Sequence, residues 1–192
     1  AYLVKTKKQN NEKIIVTSDK DYYQLIDDNT KIWSPNKKHL IDQKYVIEKW
    51  GISPINFCAA RCFAGDQSDG LKGVKGAGFK VMAKRFPDLS TCKEITCSDI
   101  INMSNKEIQN GSKLKLHSNI ILEENNILKN WKLMYLDSAM LSASQIKSIE
   151  FQIENKEEKI NKFDLLKMLN KEGLNSFDIH TFLLTIKAMI RI

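Results

Sequence analysis

Five of the eight glycines in this 192-residue chain fall between Gly65 and Gly78, in the run Gly65-Asp66-Gln67-Ser68-Asp69-Gly70-Leu71-Lys72-Gly73-Val74-Lys75-Gly76-Ala77-Gly78-Phe79-Lys80. Glycine at that density requires a backbone that turns tightly or approaches another group closely, so the rest of the chain must be built around a loop here. Phe79, Met82, Ala83 and Phe86 then follow helical spacing, which puts the last glycines at the N-terminus of a helix with its amides free. From Lys72 to Arg85 every charged residue is basic, and Lys80 and Lys84 share the side of that helix away from its apolar stripe. Free amides and charge of one sign favour a phosphate chain as ligand. The plainer reading is a solvated basic helix after a loop.

The net charge of +7 and isoelectric point near 9.1 point weakly in the same direction, because clustering of charge matters more than its total. No apolar run is long enough to span a bilayer and no signal-peptide pattern is visible, so a cytoplasmic protein is expected. Cys58-x3-Cys62 and Cys92-x4-Cys97 raise a zinc reading, yet Cys58 and Cys62 also belong to an apolar helical stripe with Ile55, Ala59 and Phe63, where a thiol is a small hydrophobe.

Lys13-Ile14-Ile15-Val16-Thr17 reads as a buried parallel strand, with Ser18-Asp19-Lys20-Asp21 at its C-terminal end, where open α/β sheets place ligands. In an extended segment Asp19 and Asp21 point the same way, and two like charges on one side call for a cation between them; hard oxygen ligands suit Mg²⁺ or Mn²⁺. Alternatively, Asp19 caps a following helix. Short strands are expected at Lys31–Trp33 and His39–Ile41 and helices at Gln43–Trp50 and Ile55–Phe63, the second delivering a further carboxylate pair, Asp66 and Asp69.

Val16-Thr17-Ser18-Asp19-Lys20-Asp21-Tyr22-Tyr23-Gln24-Leu25, Trp50-Gly51-Ile52-Ser53-Pro54, Gly65-Asp66-Gln67-Ser68-Asp69-Gly70 and Gly73-Val74-Lys75-Gly76-Ala77-Gly78-Phe79-Lys80 together resemble the flap endonuclease and 5′→3′ exonuclease family. Trp33-Ser34-Pro35 and Leu133-Met134-Tyr135-Leu136-Asp137 lean toward its T-even-like phage ribonuclease H branch. The match is strong over about residues 13–90. The resemblance implies an α/β fold: the C-terminal part of a PIN-like nuclease domain (1–48), a helix–three-turn–helix (49–90) and a mainly helical C-terminal region (91–192). It implies two divalent ions, Mg²⁺ or Mn²⁺, with Asp19, Asp21, Asp66 and Asp69 as metal-binding and catalytic residues. Lys72, Gly73, Lys75, Gly76, Gly78, Lys80 and Lys84 would bind DNA, a duplex carrying a 5′ flap or an RNA primer, and the loop would take a monovalent cation. A monomer recruited by a sliding clamp or single-strand-binding protein, in the host cytoplasm if phage-encoded, is implied likewise.

Gly70 stands where the family usually has Asn. The family's first acidic group is not found; Ala1-Tyr2-Leu3-Val4-Lys5 resembles the tail of the helix that carries its Glu-x-Asp-Asp motif, just after those acids, so a half-built metal site with little or no activity is expected of this chain alone. Two other classes are weighed: a structure-specific DNA-binding module that cuts nothing, and an aspartyl phosphatase suggested by a strand followed by Asp-x-Asp.

Farther on, Ser104 with Glu107, Ser142 with Gln145, and Ser176 are expected helix starts. Leu165, Met168 and Leu169 mark a helix ended at Gly173, and Ile179, Phe182, Leu183 and Ile186 share the face of the last one. Lys156, Lys159 and Lys162, interspersed with Glu154, Glu157 and Glu158, read as a solvated linker.

Overall fold

A computed structural model describes residues 1–7, 11–155, 162–174 and 176–190, without side-chain placement for 186–190. Lys156, Glu157, Glu158 and Lys159 lie outside these residues, as does the side chain of Ile186. The chain divides into two units, Ala1–Met140 and Leu141–Ile192.

The first unit opens on a π-helical turn, Leu3–Lys7, where the tail of a helix is expected. Strand β1 (Lys13–Val16) runs parallel to β2 (Thr30–Ser34), with Ile14 opposite Lys31 and Val16 opposite Trp33, and β2 pairs antiparallel with β3 (His39–Ile41). The order β1-β2-β3 leaves β1 at one edge. The expectation of a buried strand is therefore corrected: Ile14 is 57% and Val16 67% exposed, because only one face of β1 meets a core. On that face Ile15 packs against a cluster of Tyr23, Ile26, Ile32, Ile41, Val46 and Phe57.

Helices α1 (Gln43–Trp50) and α2 (Pro54–Ala64) form where the apolar spacing places them, α1 capped by the Asp42 carboxylate and stopped at Gly51. Nine of the eleven residues of α2 are buried, so this helix is the axis of the main core, which also takes in α3 (Phe79–Arg85), α4 (Cys97–Gln109), α5 (Lys115–Leu122) and α6 (Glu124–Met134). Asn56 on α2 is fully buried; its amide donates to the carbonyls of Leu89, Thr91 and Lys93, and its oxygen accepts from the Ile95 amide at 2.8 Å. One polar side chain thereby satisfies a loop that would otherwise bury unpaired carbonyls.

The expected helix start at Ser104 is eight residues late. Thr96 and Asp99 form a complete capping box, and Ser104 is buried in the middle of α4. The thiols of Cys58, Cys62 and Cys97 are buried and free, and Cys92 is exposed. Hydrogen bonds from Cys58 and Cys97, followed by burial, push the Cys62 thiol up, so it stays protonated as a core hydrophobe.

The second unit contains α7 (Ala143–Glu154), α8 (Lys162–Lys171) and α9 (Ile179–Ile190). The Ser142–Gln145 box caps α7 as expected. Helix α8 ends with the Leu174 amide donating to the Leu169 carbonyl across Gly173. Ser176 does not cap α9: the Asp178 carboxylate does, accepting from the amides of His180 and Thr181 at 3.1 Å each. No described helix is long and apolar enough to cross a membrane.

Candidate functional site

At the end of β1 the chain does not stay extended. Asp19 keeps extended backbone angles, but its carboxylate accepts the Asp21 amide at 2.8 Å and starts a 3₁₀ turn, Lys20–Leu25. Asp19 is thus the cap that the plainer reading predicts, and Asp21 lies in the first turn of a helix rather than beside Asp19 on an extended strand. The turn is anchored on its other side by Gln24, whose amide donates to the Met134 carbonyl and whose oxygen accepts from the Leu136 amide.

The second pair follows α2. Asp66 and Leu71 exchange both backbone hydrogen bonds, at 2.8 and 2.7 Å, closing a tight loop. Inside it, Asp66 Oδ1 accepts from the amide and hydroxyl of Ser68 at 2.9 and 2.5 Å. Asp69 and Gly70 lie exposed at the tip. The glycines behind the loop are required by close approach. A Cβ on Gly73 would lie 2.2 Å from the Ala64 carbonyl oxygen, and one on Gly65 would lie 2.4 Å from the Gly73 nitrogen.

Arg61 joins the two pairs. It is the one charged residue of α2 and is 7% exposed. Its Nε lies 2.8 Å from Asp21 Oδ1, and its Nη2 pairs with Asp66 Oδ2. The first contact is a charge pair without hydrogen-bond alignment: Arg61 Nε and Asp21 Oδ1 are both buried with no hydrogen-bond partner. This explains why two carboxylates on one guanidinium behave differently. For Asp21, burial pushes the carboxyl up, Arg61 pulls it down, and the charges of Asp19, Asp66 and Asp69 push it up again, leaving it above its ordinary range. For Asp66, burial also pushes up, but the Ser68 hydroxyl and amide and the Arg61 charge outweigh it, leaving it below. A depression of about 280 Å³ lined by Ser18, Asp19, Lys20, Arg61, Ser68 and Asp69 opens over the group. None of the four carboxylates lines the larger cavity, about 410 Å³, between Val4, Gln24, Asp28 and Glu94.

The donors are hard oxygens, and Asp21 Oδ1 is an orphaned buried acceptor, which suits a divalent cation in kind. Yet among the described residues no three His, Cys, Asp or Glu side chains converge to hold one. The four carboxylates come instead as two pairs with a guanidinium between them.

Beyond this group the glycine loop runs under α5 and α6. The Lys72 carbonyl accepts from Asn126 at 2.8 Å and Asn130 at 2.9 Å, and the Lys75 carbonyl from Asn119 at 3.0 Å. The Lys72 ammonium pairs with Glu123 at 2.7 Å, so its charge is partly spent inside the molecule. Gly76 and Gly78 have open space where a Cβ would stand. Helix α3 is anchored inward by Phe79, stacked on Phe57 at 5.2 Å, and by Met82 and Phe86, while Lys75, Lys80 and Lys84 are exposed.

Sequence reasoning names the four carboxylates and the lysines as candidates but does not single out Arg61 or the asparagines of α5 and α6. The signal for Arg61 was present: a lone arginine in an otherwise apolar helix is buried only with a carboxylate partner. The asparagines give no such signal, since their partners are main-chain carbonyls far away in sequence.

No family model matches the chain. It is 35% identical over 91 residues to a thermostable DNA polymerase I of Thermus thermophilus, covering 47% of this chain and 11% of that one. It is 39% identical over 85 residues to a 5′-3′ exonuclease of Streptomyces coelicolor, covering 40% of this chain and 28% of that protein. Among solved structures, a phage T5 5′-exonuclease mutant aligns at a TM-score of 0.58 and 20% identity, over 69% of this chain and 51% of that one. The phage T5 flap endonuclease, solved as a pseudo-enzyme–product complex with DNA and metal ions, aligns at 0.57 and 19%. The chain thus shares the T5 exonuclease fold and is related in sequence to 5′-3′ exonucleases and DNA polymerases I, spanning less than a third of the first and about a tenth of the second in these two alignments.

Proposed function

We propose that this chain is the C-terminal portion of a metal-dependent 5′→3′ exonuclease or flap endonuclease of the ribonuclease H type, acting on phosphodiesters at the 5′ ends of DNA flaps or RNA primers in replication. The observation that carries the reading is the gathering of two carboxylate pairs, from the end of β1 and the end of α2, beside a glycine loop that leads to exposed lysines.

Asp19, Asp21, Asp66 and Asp69 would hold Mg²⁺ or Mn²⁺ as a two-ion set. Bound there, such ions supply charge that orients a phosphate and acidifies water. The chain's own residues prepare that position: Ser68 fixes the Asp66 carboxylate, and Asp21 keeps one buried oxygen with no hydrogen-bond donor on it. We read residues 1–48 as nuclease-domain sheet, 49–90 as a helix–three-turn–helix and 91–192 as the helical remainder. Lys72, Lys75, Lys80 and Lys84, with the backbone at Gly73, Gly76 and Gly78, would hold duplex phosphates, the Lys72 charge being shared with Glu123. A monovalent cation in the loop would use carbonyls other than that of Lys72, whose two lone pairs serve Asn126 and Asn130. Action in the cytoplasm as a monomer, recruited by a clamp or single-strand-binding protein, completes the proposal.

The test is cleavage of a 5′-labelled flap duplex with Mg²⁺ and with chelator. Because this chain spans only part of its relatives, duplex binding with little cleavage is expected of it alone, and joining it to the missing acidic half should give Mg²⁺-dependent cleavage abolished by Asp19→Asn. Cleavage by the joined protein that ignores chelator and Asp19→Asn would overturn the reading, and binding without cleavage in the joined protein would leave a non-catalytic DNA-binding module.

A further inference from the structure

We infer that Arg61 is a built-in counter-cation: it holds the Asp21 and Asp66 carboxylates together when no divalent ion is bound, so that the fold does not depend on metal. The inference rests on the reading of these carboxylates as metal ligands and adds a role for a residue outside that set.

A guanidinium is buried at a cost that only paired carboxylates offset. Arg61 projects from α2, whose remaining residues are uncharged, and is 7% exposed, so its place is dictated by its partners rather than by water. Those partners come from different segments. Nε reaches Asp21 in the turn after β1, and Nη2 reaches Asp66 in the loop after α2. One side chain therefore ties together two pieces of backbone that carry a carboxylate pair each.

Its two contacts are unequal. Asp66 is committed: Arg61 holds one oxygen and Ser68 donates twice to the other. Asp21 is held by charge alone, at 2.8 Å without hydrogen-bond alignment, and its Oδ1 and the Arg61 Nε are both buried and unpartnered. A buried acceptor held this way can turn to another cation without breaking a hydrogen bond, while Arg61 stays on Asp66. The guanidinium thus sits between carboxylates that, among the described residues, do not themselves close around an ion.

Without Arg61, two poorly solvated carboxylates face each other uncompensated, and an external cation must take over. Thermal unfolding of the full chain, with Mg²⁺ and with chelator, reads this directly. The wild type should gain in Mg²⁺ only the small upward shift that mass action gives a bound ion. Arg61→Gln should melt about 5–10 °C lower in chelator and recover most of the loss in Mg²⁺. Arg61→Lys, which keeps the charge, should lie between the two in chelator. If Arg61→Gln falls equally in both conditions, or not at all, the side chain is packing only and the inference is overturned. If it fails to fold in either, the double variant Arg61→Gln with Asp66→Asn decides: regained folding supports the role, since one unpaired charge has gone, and continued failure overturns it. Calorimetric titration of the wild type with Mn²⁺ separates this from the parent reading. No binding there removes the metal site itself, whereas binding with an unresponsive Arg61→Gln removes only the role of Arg61.

Discussion

Gly73 shows how tightly the carboxylate loop is seated. Its missing side chain is where the Ala64 carbonyl passes, and a methyl group would meet that oxygen at 2.2 Å and the Gly65 nitrogen at 2.7 Å. Both obstacles are backbone and cannot rotate away. Gly73→Ala should therefore cost roughly 3 kcal/mol, the upper end for overpacking, and lower the melting temperature by about 5–10 °C. Gly76→Ala is the control: φ is +86° but nothing stands within 4 Å, so only the left-handed backbone penalty of about 1–2 kcal/mol applies. Equal shifts for the two variants would show that the Gly65–Gly73 contact is not needed for the fold. Residue types and spacing made the acidic and glycine positions legible in the sequence. The partnership of Arg61 with Asp21 was not, because the two lie forty positions apart and no periodicity links them. The direction of the Asp21 carboxylate was also misread, for a local reason: its own amide is captured by Asp19, which turns the chain before the strand can continue.

At the scale of elements, α3 separates apolar from basic side chains by face. Phe79, Met82 and Phe86 enter the core, and Lys80 and Lys84 stand in solvent on the other side. Replacing both lysines by alanine should leave the melting temperature almost unchanged, since exposed charges carry little stability. It should weaken duplex binding and flatten the dependence of log affinity on log salt by roughly one to two units, about 0.9 for each lost phosphate contact. An unaltered slope, measured by fluorescence anisotropy across a salt series, would return α3 to a solvated surface helix. Helix spacing made α1, α2 and α3 legible, because each has a clear apolar stripe with a cap or a stop. Helix α4 was misplaced because its true start, Thr96 with Asp99, competes with a similar Ser-x-x-Glu pattern at Ser104, and only burial of Ser104 decides between them. The last helix was misassigned by two residues for the same reason: Ser176 and Asp178 both suit a cap, and the carboxylate reaches the first amides.

The whole molecule places its chemistry in one unit. Both hydrophobic clusters and their partly buried neighbours are drawn from Ile15 to Tyr135, and the carboxylates, Arg61, the glycine loop and α3 lie within the same span. The asparagines that brace the loop come from α5 and α6, also before Met140. Contacts divide the chain at that residue, and the unit after it keeps large apolar side chains exposed, with Phe151 at 66% and Leu184 at 57%. A core that is complete without the second unit should fold without it. A fragment ending at Met140 is therefore expected to show one cooperative melting transition within a few degrees of that of the first unit in the full chain. Its duplex affinity should follow the same salt slope, because the exposed lysines of the loop and α3 remain. Loss of the transition would mean that α7 to α9 contribute to the stability of the first unit. A retained transition with a shallower slope would instead place phosphate contacts among the lysines of the second unit. The sequence leans to an unchanged slope, since the mixed charges around residues 154–162 read as a solvated linker rather than a binding site.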